Sequence, residues 1–272
     1  MRCRDRDRPL VSVITPAYNS ARFITETIKS VQTQTYPHWE MIVVDDGSQD
    51  NTRELVASKA EEDGRILLVR LSKNTGPAVA RNTAMEKARG KYIAFLDSDD
   101  LWLPTKLEKQ LASMQEKDAA FSFTSYRKID ETGKVLSAPA PIPSLIDYKG
   151  LLKNTIIGCL TVMLDRSKTG PLSMGNAQIG RGQEDYVLWF RLLKSGHVAH
   201  GVQKDLARYR LVQGSLSREK LKAARRMWRL YRETEGLSLP YSAWCFFNYA
   251  GRAYLKTGVR NRGGSTHRGV RI

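Results

Sequence analysis

The feature that most constrains this chain is the stretch KYIAFLDSDDLWL, Lys91 to Leu103. A short apolar run, Tyr92 to Leu96, stops abruptly at Asp97, Ser98, Asp99 and Asp100. An apolar run of that length bounded by polar residues reads as a buried strand of a mostly parallel sheet. Carboxylates at the C-terminal end of such a strand lie on the edge where open α/β sheets bind ligands. Three acids within four residues repel one another unless a cation lies between them. A divalent ion carrying a phosphorylated ligand meets that need. An acidic turn capping a helix ahead of Pro104 fits the same residues.

The rest of the chain bears on that choice. Val11–Thr15 (VSVIT) is a β-branched run broken by Pro16-Ala17-Tyr18-Asn19. Ser20 is placed to cap a helix carrying Phe23, Ile24, Thr27, Ile28 and Val31 at helical spacing. Met41–Val44 is a second strand, closed by Asp45-Asp46-Gly47-Ser48, with Asp50 or Asn51 capping the helix that follows. Ile66–Leu71 is a third strand. Gly76-Pro77 opens a helix of small residues, Ala80, Ala84 and Ala88, which Gly90 ends. With the Tyr92 strand, strands and helices alternate four times in about a hundred residues. This predicts an α/β fold with a doubly wound, mostly parallel sheet whose strand ends share one rim.

Beyond that, Pro104 opens a helix with Leu107, Leu111 and Met114, and Ala119–Tyr126 is a fifth strand. Asp130–Gly133 reads as a hairpin turn, and Ser137–Ser144, with three prolines, as a surface loop. Leu160–Leu164 is a short strand. Residues 173–183 are expected to be mobile. Glu184-Asp185 open an apolar helix ended by Gly196; acids at a helix N-terminus are favourable in themselves.

With 272 residues, the chain can form one large domain or one domain plus an appendage. No eighteen-residue apolar stretch predicts a membrane span, and the charged start MRCRDRDRPL has no secretory apolar core. Cys3, Cys159 and Cys245 have no metal-site spacing and suggest a reducing compartment. The formal charge is +16, and residues 201–272 hold 16 basic against 4 acidic residues.

Three acidic clusters thus stand at element ends: Asp45-Asp46, Asp97–Asp100 and Glu184-Asp185. Arg81 falls one turn into the helix opened by Gly76-Pro77, a position suited to an anion. Acids, a metal and an arginine together describe a site for a nucleoside diphosphate.

These residues also carry a family resemblance. VSVITPAYN, VVDDGS, NTGPAVARN, FLDSDD and QEDYVLW stand in an order that resembles glycosyltransferase family 2, inverting sugar-nucleotide transferases of GT-A fold. The likeness covers about residues 10–200. It implies that Pro16, Ala17, Tyr18, Asn19 and Asp46 hold the nucleoside, with Asp45 sharing the task. It implies that Arg81 lies near the diphosphate, and that Asp97-Ser98-Asp99 is the DxD motif. Asp99 would be the metal ligand for Mn²⁺ or Mg²⁺. Asp97 would face the ribose or the metal's water, and Asp100 is ambiguous. Asp185 would be the catalytic base and Glu184 its orienting neighbour. His200 is a candidate third ligand or else a histidine on a strand surface. Arg210 is a candidate phosphate contact beside a closing loop at Gln213–Ser217. Trp102 and Trp189 fit core packing better than sugar-stacking walls.

The last quarter is read separately. Ser217–Glu235 is an amphipathic helix with Leu221, Ala224, Trp228 and Tyr231 on one face and five basic residues around the rest; Tyr241–Tyr254 adds aromatics. Such helices suit an anionic membrane surface; the other reading packs their apolar faces on the catalytic domain. No nucleic-acid-binding motif accompanies the charge. The expected layout is an extension at 1–9, a GT-A domain at 10–210, basic helices at 211–259 and a disordered tail at 260–272. The expected function is metal-dependent, inverting transfer of a sugar from a UDP-sugar to a lipid-linked glycan acceptor. This would occur in bacterial surface polysaccharide synthesis, at the cytoplasmic face of the membrane. The alternatives are a soluble or protein acceptor, or a nucleotide-sugar-binding module without catalysis.

Overall fold

A computed structural model describes residues 8–175, 183–212 and 220–258. Most of the N-terminal extension, most of the stretch expected to be mobile, the Gln213–Ser217 loop and the tail lie outside the described residues.

The first strands and helices are β1 (Val11–Ala17), α1 (Ile24–Gln32), β2 (Trp39–Asp45), α2 (Thr52–Glu62), β3 (Ile66–Arg70), α3 (Pro77–Lys87) and β4 (Tyr92–Phe95). They build parallel pairs in the order β3-β2-β1-β4. The order reverses between β1 and β4, which opens a crevice at their C-terminal ends. That crevice is where the acids fall.

The second half is mixed in direction. Its elements are β5 (Leu101–Trp102), α4 (Lys106–Glu116), β6 (Phe121–Ile129), β7 (Leu145–Ile146), α5 (Tyr148–Leu152), β8 (Met163–Asp165), α6 (Arg166–Thr169), α7 (Glu184–Lys194) and β9 (Ala199–Arg210). Strand β8 runs antiparallel between β4 and β6, β9 is parallel to β6, and β5 and β7 pair antiparallel with β9. The parallel expectation therefore holds from β3 to β4 and gives way beyond it. The predicted Leu160–Leu164 strand divides into a 3₁₀ turn at Cys159–Thr161 and β8.

Period-two alternation assigns the strands' side chains to two faces. Ile14, Ile42, Val44, Ile93 and Phe95 point to the layer of α3, α5 and α7. Val11, Val13, Met41, Val43 and Ala94 point to the layer of α1, α2 and α4. Trp189 is buried between Phe95 and Phe121. Trp102 is buried and donates its indole N–H to Leu160 O at 2.9 Å. Both tryptophans are core.

Two local expectations need correcting. The acidic stretch does not cap a helix. It turns between β4 and β5, whose residues pair with Arg208 and Ala207 of β9, and α4 begins only at Lys106. Ser20 does not cap α1 with its side chain. Its carbonyl accepts from Phe23 and Ile24 N–H, while its hydroxyl meets Ser98 Oγ at 2.7 Å. That contact ties the loop after β1 to the acidic turn.

The C-terminal helices α8 (Lys220–Arg229) and α9 (Leu239–Gly258) flank a π-helical turn at Leu230–Thr234. Met227, Leu230, Tyr231 and Cys245 are buried in the same core as Trp189. Their apolar faces thus pack on the catalytic sheet. Trp244, Phe247 and Leu239 remain exposed.

Candidate active site

The ends of β1, β2 and β4 and the start of α7 converge on one cavity of about 610 Å³. It is lined by Pro16, Ala17, Tyr18 and Asp46 and by Asp97, Ser98 and Asp99 of the acidic turn. Glu184 and Asp185 of α7 line it too.

Arg81 joins the two sides. From the first turns of α3, its Nη2 donates to Asp97 Oδ1 at 2.5 Å and its Nη1 to Glu184 Oε1 at 2.9 Å. Arg81 and Glu184 are both buried. Burial alone would lower the pKa of Arg81, but Asp97, Glu184 and Asp185 overcome it and hold the guanidinium firmly cationic. Arg81 lines the same cavity, and its two Nη groups hold a carboxylate from each side in place.

Glu184 accepts Gln183 N–H with its second oxygen. Asp185 is half-buried at the cavity, and its Oδ1 accepts Tyr186 N–H at 2.9 Å. Burial, then the charge of Glu184, pushes its pKa up to about 7. A displacement of that size is on the order of 4 kcal/mol. It outweighs the ~0.5 kcal/mol that a helix N-terminus offers a carboxylate. Asp185 is therefore poised near neutrality, the range that suits proton transfer.

The acidic turn divides into an open half and a locked half. Burial, then Asp97, raises the Asp99 carboxyl to about 6. Two crowded carboxylates facing a cavity are hard oxygen donors, the type that Mg²⁺ or Mn²⁺ takes alongside ligand phosphates. Asp97 and Asp99 fit that ion. Among the described residues no group of three or more His, Cys, Asp or Glu side chains could hold a metal ion. Asp100 is buried, accepts Arg210 N–H, and is pushed well above the carboxylate range by burial and by its acidic neighbours.

Arg210 is also committed. Its Nε donates to Asp99 O at 2.7 Å, its Nη1 to Glu131 O and its Nη2 to Glu26 Oε2 at 2.7 Å. It braces the acidic turn from beneath, with Phe23 against its guanidinium.

Some predicted residues hold loops. Asp46 lines the cavity, but its carboxylate accepts Thr75 and Gly76 N–H and the Thr75 hydroxyl, fixing the entry to α3. Asp45 accepts Ser48 N–H and pairs with Arg53 at 2.6 Å, away from the cavity lining. Asn19 adopts φ 48° and stitches the loop after β1 to Ser48 and Gln49. Between these loops, Gly47 has φ +76°, and a Cβ there would sit 2.8 Å from the Asn74 backbone nitrogen. His200 is not brought to the site. It pairs with Ser122 and Leu145 near the start of β9, on the order of 30 Å along the strand from Arg210.

The structure adds residues that the sequence did not single out. Tyr126 and Tyr209 meet edge to face at 6.0 Å beside the acidic turn. The segment from Thr155 to Leu160 forms part of the wall, as do Arg226 and Tyr249 from α8 and α9. Tyr126 ends a predicted strand, so the strand-end rule could have found it. Nothing in the local pattern marks the others.

The fold and site define an α/β protein with a carboxylate-lined cavity at a topological switch point. The sequence profile described as Glycosyl transferase family 2 matches residues 12–167. The chain is similar to "Putative teichuronic acid biosynthesis glycosyltransferase TuaG" of Bacillus subtilis (strain 168), with 49% identity over 249 residues, 92% of this chain and 98% of that protein. It is 42% identical to "UDP-Glc:alpha-D-GlcNAc-diphosphoundecaprenol beta-1,3-glucosyltransferase WfgD" of Escherichia coli, over 82% of this chain and 85% of that one. The fold matches the crystal structure of S. aureus TarS 1-349 in complex with UDP, with TM-score 0.66 and 19% identity, over 90% of this chain and 71% of that chain. The chain belongs to glycosyltransferase family 2, has the GT-A fold and is a glycosyltransferase.

If Arg81 bridges two otherwise stranded carboxylates, Arg81→Met should cost about 3 kcal/mol of stability in chemical denaturation. Adding Glu184→Gln should recover part of that loss. A single-variant cost below about 1 kcal/mol would contradict the bridge.

Proposed function

We propose that this enzyme transfers a sugar from a UDP-sugar to a hydroxyl of a lipid-diphosphate-linked glycan, in the synthesis of a bacterial surface polysaccharide. The observation that carries this reading is the single cavity in which Asp185 faces Asp97 and Asp99 across the Arg81 bridge. The relatives named for teichuronic acid synthesis and for a diphosphoundecaprenol acceptor support the polymer and the lipid carrier. The UDP complex of TarS supports the nucleotide.

The chemistry follows from which carboxylates are committed. Glu184 is held by Arg81 and by its own turn, so Asp185 is the base for the acceptor hydroxyl. The acceptor oxygen attacks C1 of the donor sugar as the bond from C1 to the diphosphate oxygen breaks, and the proton passes to Asp185. One displacement from the opposite face inverts the anomeric centre. A divalent ion at Asp97 and Asp99 would neutralise charge on the leaving nucleotide. The strand-end residues Pro16 to Tyr18 and Asp46 form the wall beside the nucleoside.

The acceptor suggests where the enzyme works. Among the described residues no helix is long and apolar enough to cross a membrane. Trp244 and Phe247 on α9, with the exposed Lys222, Arg225, Arg229 and Arg232, suit contact with an anionic lipid surface at the cytoplasmic face.

Asp185→Asn should lower transfer by about a thousandfold or more while UDP affinity stays within threefold, read by UDP release and calorimetry. In the wild type, kcat/KM should rise with pH through about 7, because the base must lose its proton. A pH-independent rate, or lost UDP binding in the variant, would count against Asp185 as base. Trp244→Ser with Phe247→Ser should reduce flotation with vesicles containing phosphatidylglycerol. Equal flotation of wild type and variant, or none from either, would remove the membrane contact from the reading.

A further inference from the structure

The helix that opens with Asp185 is gripped at both ends by the last quarter of the chain. Gln183, immediately before α7, donates through Nε2 to Ala223 O of α8 at 3.3 Å. At the other end of α7, Lys194 Nζ donates to Glu235 Oε2 at 3.4 Å, just past the π-helical turn. The two grips have matching offsets, 40 residues from Gln183 to Ala223 and 41 from Lys194 to Glu235. Residues 184–194 and 220–234 are helical. Equal offsets between two helical stretches mean that α8 and the turn after it run alongside α7 in the same direction.

The far grip is buried. The Glu235 side chain is only 6% exposed, and its Oε2 also accepts the Tyr148 hydroxyl. Burial, then the bond to Glu235, raises the pKa of that phenol, so it stays a donor. Tyr148 in turn packs edge to face on Phe190 of α7 at 5.8 Å. A buried carboxylate needs both partners, and losing one leaves a stranded charge. Between the grips, Met227, Leu230 and Tyr231 share the core of Leu188, Trp189 and Leu192 of α7.

The same unit closes the cavity beside Asp185. Ala223 and Met227 border the space that this carboxylate lines. Burial is the largest cause of the raised Asp185 pKa; Glu184 and Asp97 add to it and Arg81 opposes it. Since α8 walls the cavity there, its contribution at Asp185 is exclusion of water.

We infer that the C-terminal helical unit positions and shields the catalytic base, with Gln183 and Glu235 as its two positioning residues. This rests on Asp185 as the base of the proposed transfer and deepens that reading. The basic helices then govern the chemistry of the cavity as well as the surface of the protein.

The test follows the Asp185 carboxyl by carboxyl-carbon NMR in protein isotope-labelled at aspartate, with Asp185→Asn assigning the resonance. In the wild type it should titrate near 7. Gln183→Leu and Glu235→Leu should each lower that value by about one pH unit or more, because each lets water reach the carboxyl. Glu235→Gln still accepts the Tyr148 hydroxyl and should fall between. The other aspartate resonances should stay in place, which shows that the variants are folded. An Asp185 carboxyl that titrates as in the wild type in Gln183→Leu, or in folded Glu235→Leu, would overturn the inference. A wild-type Asp185 in the ordinary carboxylate range would overturn it as well. Undiminished transfer by Asp185→Asn would overturn the proposed base, and this inference with it. An unmoved resonance in the leucine variants, with transfer lost in Asp185→Asn, would overturn this inference alone.

Discussion

The site depends on one guanidinium. Arg81 reaches from α3 to the end of β4 and the start of α7 and pairs with a carboxylate on each. Without it the chain would bring Asp97, Asp99, Glu184 and Asp185 to one cavity with their repulsion uncompensated. Burying an unpaired carboxylate costs several kcal/mol, and removing one partner of a buried pair costs about 3–5. The bridge therefore decides whether the two halves of the site can share a cavity. It spans 103 residues of sequence from Arg81 to Glu184, so the catalytic geometry is a property of the closed fold.

Within that frame, neighbouring acids carry different loads. Asp97 is paired to Arg81, Asp99 faces the cavity, and Asp100 is turned inward to Arg210 N–H. Glu184 is locked, whereas its neighbour Asp185 is raised to about 7 by burial. The same division occurs at the end of β2. Asp46 caps the entry to α3, and Asp45 holds its own turn through Ser48 and Arg53. Residue type alone cannot make these distinctions, because the partners come from other elements.

The early part of the fold was legible because local rules and the tertiary environment agree there. VSVIT, MIVV and YIAF are short apolar runs, each closed by polar residues, and each is a strand buried on both faces. Strand-end reasoning also found Asp97, Asp99 and Asp46 at the cavity. It failed at Asp45, which sits one position earlier with its side chain on the opposite face. His200, a candidate only through the family resemblance, stands near the start of β9, whereas it is the other end of that strand, at Tyr209 and Arg210, that reaches the cavity. The sheet's second half was harder to read. Strand β5 is two residues long and exists because β9 pairs with it, a long-range contact with no local signature. Arg226 looked like part of a solvated basic face; only the packing of Met227 and Tyr231 into the core turns that helix toward the cavity.

The account's central claim is that one cavity holds the donor's metal-bound diphosphate at Asp97 and Asp99 and the base at Asp185. Anomalous diffraction from crystals soaked with Mn²⁺ and UDP tests it most directly. The account predicts one strong manganese peak against the Asp99 carboxylate, in contact with UDP phosphate oxygens, with Asp185 facing the nucleotide across the cavity. UDP bound with manganese at any other group, or with no manganese peak beside Asp97 and Asp99, would contradict it.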